Sequence, residues 1–221
     1  MVRGLIREVE RPGTGKTQTR RILKPQPIMH ADGSCTICGN LGPVDYLMRE
    51  IYPQYMARFR KGDRLYVRET FSGNHDCVDI GSPPRSWDAG DPIWYWADGN
   101  PSEGDWTKPK PGIHMPRWAS RLTLTVTDVR VQRLQEISEA DVIAEGIERR
   151  STECSDGVTR GLWYGVPECG TEHAVTSYGH LWDSINNPRA LCPDDAPASW
   201  AANPWIVAVT FTVERRNIDA C

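Results

Sequence analysis

Arg121-Leu122-Thr123-Leu124-Thr125-Val126-Thr127-Asp128-Val129-Arg130-Val131-Gln132-Arg133-Leu134 is the stretch on which the fold turns. Leu122, Leu124 and Val126 alternate with three threonines, the period of two expected of a strand with one buried face. Val129 and Val131 resume the alternation one position out of phase, which predicts a bulge at Asp128. Ser138-Glu139-Ala140-Asp141 then reads as an N-cap with an acid at the third helical position. The predicted helix runs to about Glu145 and ends at Gly146.

Working outward, Ser177–Asn187 predicts a helix with Leu181, Trp182 and Ile185 on one face, and Pro204–Val213 predicts an apolar closing strand. Upstream, Arg64–Phe71 alternates and is entered through Gly62-Asp63, and Ile93–Trp96 reads as another strand. Val2, Leu5, Ile6 and Val9 fall at helical spacing, so Met1–Val9 predicts a short amphipathic helix, broken by Pro12, Gly13 and Gly15. Stretches at about 25–60, 72–117 and 150–176 lack a sustained period and read as insertions, the first holding a short helix around Tyr46–Ile51. The expected class is α+β: one domain over residues 1–221, with a curved or barrel-like sheet, flanking helices and loop insertions.

Of the 221 residues, 39% are hydrophobic and 25% charged, enough apolar material for a real core. No apolar run approaches the roughly 20 residues a membrane span needs and no signal peptide opens the chain, so a cytoplasmic protein without membrane contact is expected. Seven cysteines, an odd number, argue against a disulfide framework. A net charge of −3 excludes a uniformly basic coat, but not a local patch. Such a patch exists in the first 24 residues, where Arg3, Arg7, Arg11, Lys16, Arg20, Arg21 and Lys24 meet only Glu8 and Glu10. Nine Trp and seven Tyr against three Phe supply flat faces with polar handles, suited to base stacking or to half-buried edges.

Gly13-Thr14-Gly15-Lys16-Thr17 resembles a phosphate-binding loop but lacks its first glycine, whose place is taken by Glu10. The preceding segment is charged and helical in period where that loop needs a buried strand. Both departures argue against the nucleotide-hydrolysing ATPase class.

Lys16-Thr17-Gln18-Thr19-Arg20-Arg21, Gly62-Asp63-Arg64-Leu65-Tyr66-Val67-Arg68-Glu69, His114-Met115-Pro116-Arg117-Trp118-Ala119-Ser120-Arg121, the Ser138–Gly146 helix and the terminal strand follow one another in that order. The arrangement, covering about half the chain, resembles the ASCH domain family of the PUA-like superfamily, in particular a longer subgroup carried by phages and prophages. The resemblance implies a PUA-like barrel. It also implies an activity, since the wider family includes an amidohydrolase that removes the acetyl group of N4-acetylcytidine. That enzyme's working Lys, Thr and Glu match Lys16, Thr19 and Glu145. The resemblance equally allows a non-catalytic reader of nucleic acid or a modified base, and an ASCH-type ribonuclease. The expected partner is a nucleoside or nucleic acid.

Hydrolysis of an exocyclic amide needs a nucleophile, a proton acceptor and a donor for the leaving amine, and no cofactor. Lys16 can act as base if burial or the neighbouring Arg20 and Arg21 lower its pKa. Thr19 is a nucleophile or orients a water. Glu145 holds Lys16, accepts its hydrogen bonds or carries the proton to the departing nitrogen. The helix after the long strand should fold back over the first loop so that the three converge. Arg20, Arg21, Arg68, Trp94, Trp96, Arg117 and Trp118 are candidate substrate-binding residues, since aromatics beside arginines stack bases and grip phosphates. Cys35-x-x-Cys38 has the spacing of half a structural zinc site, to be completed by His30, His75, Cys77, Cys154 or Cys169, or is a pair of free thiols. The zinc deaminase pattern is absent. His114 and His180 stand alone, with no ligand or base spacing around them.

Overall fold

The computed structural model describes residues 2–56, 58–74, 91–153, 159–166, 169–186 and 197–220. Its organising element is an antiparallel four-stranded sheet, curled into a half-barrel, in the order β1 (Gln18–Ile22), β12 (Trp205–Glu214), β8 (Thr123–Arg133), β5 (Arg64–Tyr66). The last strand of the chain is therefore central, between the first strand and the Leu/Thr/Val-rich strand. The bulge lies where the alternation slips: Thr210 pairs with Asp128 but Phe211 pairs with Val126, leaving Thr127 unopposed.

The pleat of β12 divides the core. Ile206 and Ala208 face α2 (Glu139–Ala144) and α3 (Ala174–Asn186), packing with Leu134, Val142, Tyr178 and Trp182. Val209 and Phe211 face α1 (Val2–Glu10), where Leu5, Leu122, Leu124 and Val126 complete a second cluster. Each fully buried aliphatic side chain contributes about 1.5–3 kcal/mol, so one strand stabilises two layers at once. On α3 the buried face is Ala174, Tyr178 and Trp182, at i, i+4 and i+8. Leu181 is only half-buried and Ile185 is exposed.

Two of the expected insertions hold sheets of their own. β2 (Ile28–Met29), β3 (Ser34–Ile37) and β4 (Asn40–Pro43) form one, followed by a π-helical segment, Tyr46–Met56, longer than the short helix expected there. β9 (Glu148–Glu153), β10 (Thr159–Val166) and β11 (Cys169–Thr171) form the other. β2, β3, β4 and β11 are short and β9 carries charges on both faces, so no alternation marks these five in the sequence. The hairpin joining β3 to β4 turns on Cys38 and Gly39, both with positive φ (50° and 81°), the backbone of a two-residue type I′ turn. The expected strand Arg64–Phe71 is broken at Val67–Thr70, with β5 before the break and β6 (Phe71–Gly73) after it, paired to β7 (Ile93–Tyr95). No helix among the described residues is long and apolar enough to cross a membrane.

Candidate functional site

Lys16 is set in place by backbone rather than by its own strand. Its N–H donates to Gly4 O of α1 (2.9 Å), and the next N–H, from Thr17, donates to Ala144 O at the end of α2 (2.8 Å). Thr17 O in turn accepts from Phe211 N of β12 (2.9 Å). Glycines make this close approach possible. A Cβ on Gly15 would stand 2.3 Å from Glu8 N and 2.4 Å from Gly4 O, and one on Gly146 would stand 3.3 Å from Lys16 Cβ. Gly146 also has φ +92°, the left-handed conformation that ends α2 and leaves Glu145 as its last capping residue. The helix begins as expected, with Ser138 Oγ accepting from Asp141 N and Asp141 reaching back to Ser138 N.

The resemblance to a phosphate loop has a local explanation. The Glu8 carboxylate accepts from Gly13 N (2.9 Å) and Gly15 N (2.8 Å), so the amides that would hold a phosphate already hold an anion of the chain itself.

Lys16 and Glu145, 129 positions apart, meet at the floor of a cleft of about 510 Å³. Lys16 Nζ donates to Glu145 Oε2 at 2.5 Å and to Glu145 O at 2.8 Å. The side chains are 10% and 5% exposed, so water does little to screen the pair. Arg20, with a fully buried side chain, donates from Nη1 to the other Glu145 oxygen (3.1 Å) and to Gln18 Oε1 (2.5 Å). Its Nη2 lies 3.1 Å from Asp141 Oδ2, close enough for an ion pair but not aligned as a hydrogen bond, and its Nε has no hydrogen-bond partner among the described residues. Gln18 Nε2 closes the network on Asp141 and Thr210. Two cations, two carboxylates, an amide and the Thr210 hydroxyl are thus held together by the Lys16 loop, β1, α2 with its C-cap, and β12.

Burial lowers the Lys16 pKa from its ordinary value; the charge and hydrogen bond of Glu145 raise it again, while Arg21 and Arg20 push it down. Tyr178, from α3, also lines the cleft, with its phenol pushed well up, first by burial and then by the negative charge of Glu145. It therefore stays protonated, a donor, throughout the ordinary pH range. Against burial, Arg20 and the Ser138 hydrogen bonds hold Asp141 below the usual carboxylate range.

Thr19 lines the same cleft, and its hydroxyl has no hydrogen-bond partner among the described residues. Arg20 and Arg21 line it too. Arg68, Trp94, Trp96, Arg117 and Trp118, expected at the substrate, do not. Arg68 donates to Tyr66 Oη (2.6 Å), Arg117 is paired with Asp219 (2.8 Å), and Trp118 packs beside Phe71, Met115 and Ala119. Trp94 donates to Gly99 O and Trp96 to Ser72 Oγ; Trp96 opens a 3₁₀ turn instead of continuing β7, so the two do not share a strand face. β5 and β7 end earlier than their alternation suggests, which places Arg68 and Trp96 outside these strands. Tyr178 and Ile185 were missed in turn: a helix facing a cleft carries the same apolar spacing as one facing a core.

Cys35 is buried among Leu23, Met48 and Trp205, which raises its thiol pKa, whereas Cys38 is exposed at the hairpin turn. His30 bonds Thr36 Oγ1 (2.8 Å). Among the described residues no three His, Cys, Asp or Glu side chains gather as a metal site. His75, Cys77 and Cys154, and the side chain of Cys169, lie outside them.

Fold and site together define an α+β protein whose half-barrel sheet carries a buried Lys–Glu–Arg–Asp network at the base of an open cleft. No family model matches the chain, and neither the curated proteins nor the solved structures contain a match.

Proposed function

We propose that the protein is an ASCH-type, PUA-like hydrolase acting on an acylated or otherwise modified pyrimidine nucleoside, with an N4-acylcytidine amide as substrate. The observation that carries the reading is the buried Lys16–Glu145 pair opening onto a cleft that Thr19 also lines. A lysine lowered by burial yet joined to a carboxylate can pass a proton between acceptor and donor without releasing it to bulk water. In this reading Lys16 takes the proton from the Thr19 hydroxyl or from a water. The freed oxygen attacks the acyl carbon, Lys16 passes the proton to Glu145, and Glu145 delivers it to N4 as the bond from the acyl carbon to N4 breaks. Arg20 holds Glu145, and the Tyr178 phenol donates to the oxygen that gains negative charge. With Thr19 as nucleophile, a water then releases the acyl group as a carboxylate.

One observation favours a second reading, recognition without turnover. The Lys16 ammonium is engaged by both the side chain and the main-chain oxygen of Glu145, as in a purely structural anchor. Release of cytidine from N4-acetylcytidine separates the two. Lys16→Ala and Lys16→Arg should both lose turnover, by about 100-fold or more, because arginine keeps the charge but cannot act as base near neutrality. No release by the wild-type protein, with oligonucleotide binding that Lys16→Arg preserves, would reject the hydrolase in favour of the reader. Cleavage of an RNA strand would favour the ribonuclease reading instead.

A further inference from the structure

The charges lining the cleft do not balance. Five cations, Arg3, Lys16, Arg20, Arg21 and Lys24, face two carboxylates, Glu145 and Glu148. Glu145 is taken by Lys16 and Arg20, and Glu148 pairs with Arg7 and with Arg150. Arg3 gives its Nε–H to Ala97 O, a neutral acceptor. Arg3, Arg21 and Lys24 are thus left without a carboxylate partner among the described residues.

Their placement is as telling as their number. Arg21 and Lys24 are exposed, while Lys16 and Arg20 are buried beneath them, so the unpaired charge lies toward the mouth and the paired charge at the floor. Thr19 and Arg21 are two apart on β1 and share one face of the strand. The facing wall, from α3, is apolar, with Leu181, Trp182 and Ile185 beside Tyr178. One wall suits a flat ring and the rim opposite it suits an anion. The volume of about 510 Å³ also exceeds what a pyrimidine ring alone fills, within the usual range of about 300–1,000 Å³ for small-molecule pockets.

We infer that the cleft binds its base with a phosphate attached, the phosphate lying at the mouth on Arg21 and Lys24 with Arg3 beside them. This rests on the nucleoside reading above, but concerns a different part of the ligand from the one that reacts. The phosphate is that of a free nucleotide or of a residue within a strand.

Calorimetric titration of the full chain with paired probes tests it: cytidine and cytidine 5′-monophosphate, uridine and its monophosphate, adenosine and its monophosphate. At low salt each monophosphate should bind about tenfold more tightly than its nucleoside, equivalent to about 1.4 kcal/mol for two or three part-exposed charge contacts. In Arg21→Ala/Lys24→Ala the ratio should fall to about one, and in 1 M salt, where the screening length is about 3 Å, it should fall likewise. A variant with unchanged thermal unfolding excludes misfolding as the cause. A short cytidine-containing oligonucleotide that binds no better than the monophosphate assigns the rim to a free nucleotide; one that binds more tightly, and loses that gain in the double variant, assigns it to a strand. Equal affinity of nucleoside and monophosphate in every wild-type pair would overturn the inference. That outcome is distinct from failure of the hydrolase reading, which is read from cytidine release and leaves these affinity ratios untouched.

Discussion

Glu145→Gln tests the physics of the site directly. The substitution keeps the side chain's size but removes the charge that Lys16 and Arg20 share. Breaking a buried ion pair from one side costs about 3–5 kcal/mol, because the surviving cation is left desolvated. That is a large part of the roughly 5–15 kcal/mol by which domains are stable. For a chain of this length each kcal/mol moves the midpoint by about 2–4 °C, so thermal unfolding should fall by about 6–20 °C. The pH dependence carries the sharper signature. With the charge at position 145 gone, the coulombic influence that raises the Lys16 pKa is lost, and burial, Arg21 and Arg20 all lower it. Between its folded value and its ordinary 10.5, Lys16 then binds fewer protons folded than unfolded, so stability rises with pH through that window and is lost as pH falls. Urea unfolding of wild type and variant at about pH 7 and about pH 9.5 should therefore show the gap narrowing at the higher pH. Lys16→Met combined with Glu145→Gln should recover part of the loss, with a coupling of at least about 1 kcal/mol. A single variant within about 1 kcal/mol of wild type, or two parallel pH profiles, would refute the argument that the network is buried and charge-coupled.

Other expectations follow from the same contacts. Gly15→Ala places a methyl 2.3 Å from Glu8 N and 2.4 Å from Gly4 O, backbone that cannot give way. It should lower stability by about 1–3 kcal/mol by chemical unfolding and reduce turnover as Lys16 shifts. Tyr178→Phe removes the donor while keeping the ring contact with Trp182, so cytidine release should slow by about 10²-fold or more with little change in melting temperature. Cys35→Ser puts a hydroxyl among Leu23, Met48 and Trp205 and should cost about 1–3 kcal/mol, whereas Cys38→Ser, at an exposed turn, should stay within about 0.5 kcal/mol. Equal losses in the two serine variants would indicate that the cysteines act as a pair, for instance on zinc, which elemental analysis would then detect.

How legible each element was depended on its surroundings. β8 is half-buried along much of its length, so burial imprinted alternation on it, whereas β12, buried on both faces, shows as a near-continuous apolar run. α2 announced itself through Ser138, Asp141 and Gly146, whose roles are local. β2, β3, β4, β9 and β11 left no such imprint, because strands of two to four residues, or one charged on both faces like β9, have no period to read. At the site, Lys16, Thr19 and Glu145 could be selected by type and order. Arg20's buried role as the holder of Glu145 could not, since an arginine on a polar strand usually points to solvent. Nor could Tyr178, whose partners lie on β1 and α2, far away in the chain.

The central place of β12 has a consequence for synthesis. A ribosome delivers the chain from its first residue, yet β1 has nothing to pair with until Trp205–Glu214 has emerged, and β8 lacks its main neighbour until the same moment. A nascent chain that has passed β8 but not yet reached β12 carries α1, the Lys16 loop and an open-edged β8–β5 pair. The closure between the first and last strands is a contact of very high sequence separation, the kind that forms late and slowly. Until then the Glu145 carboxylate has no fixed lysine to meet, and the apolar faces of α1 and β8 are open to solvent and to chaperones. The Lys16–Glu145 pair is thereby assembled only after translation has passed β12.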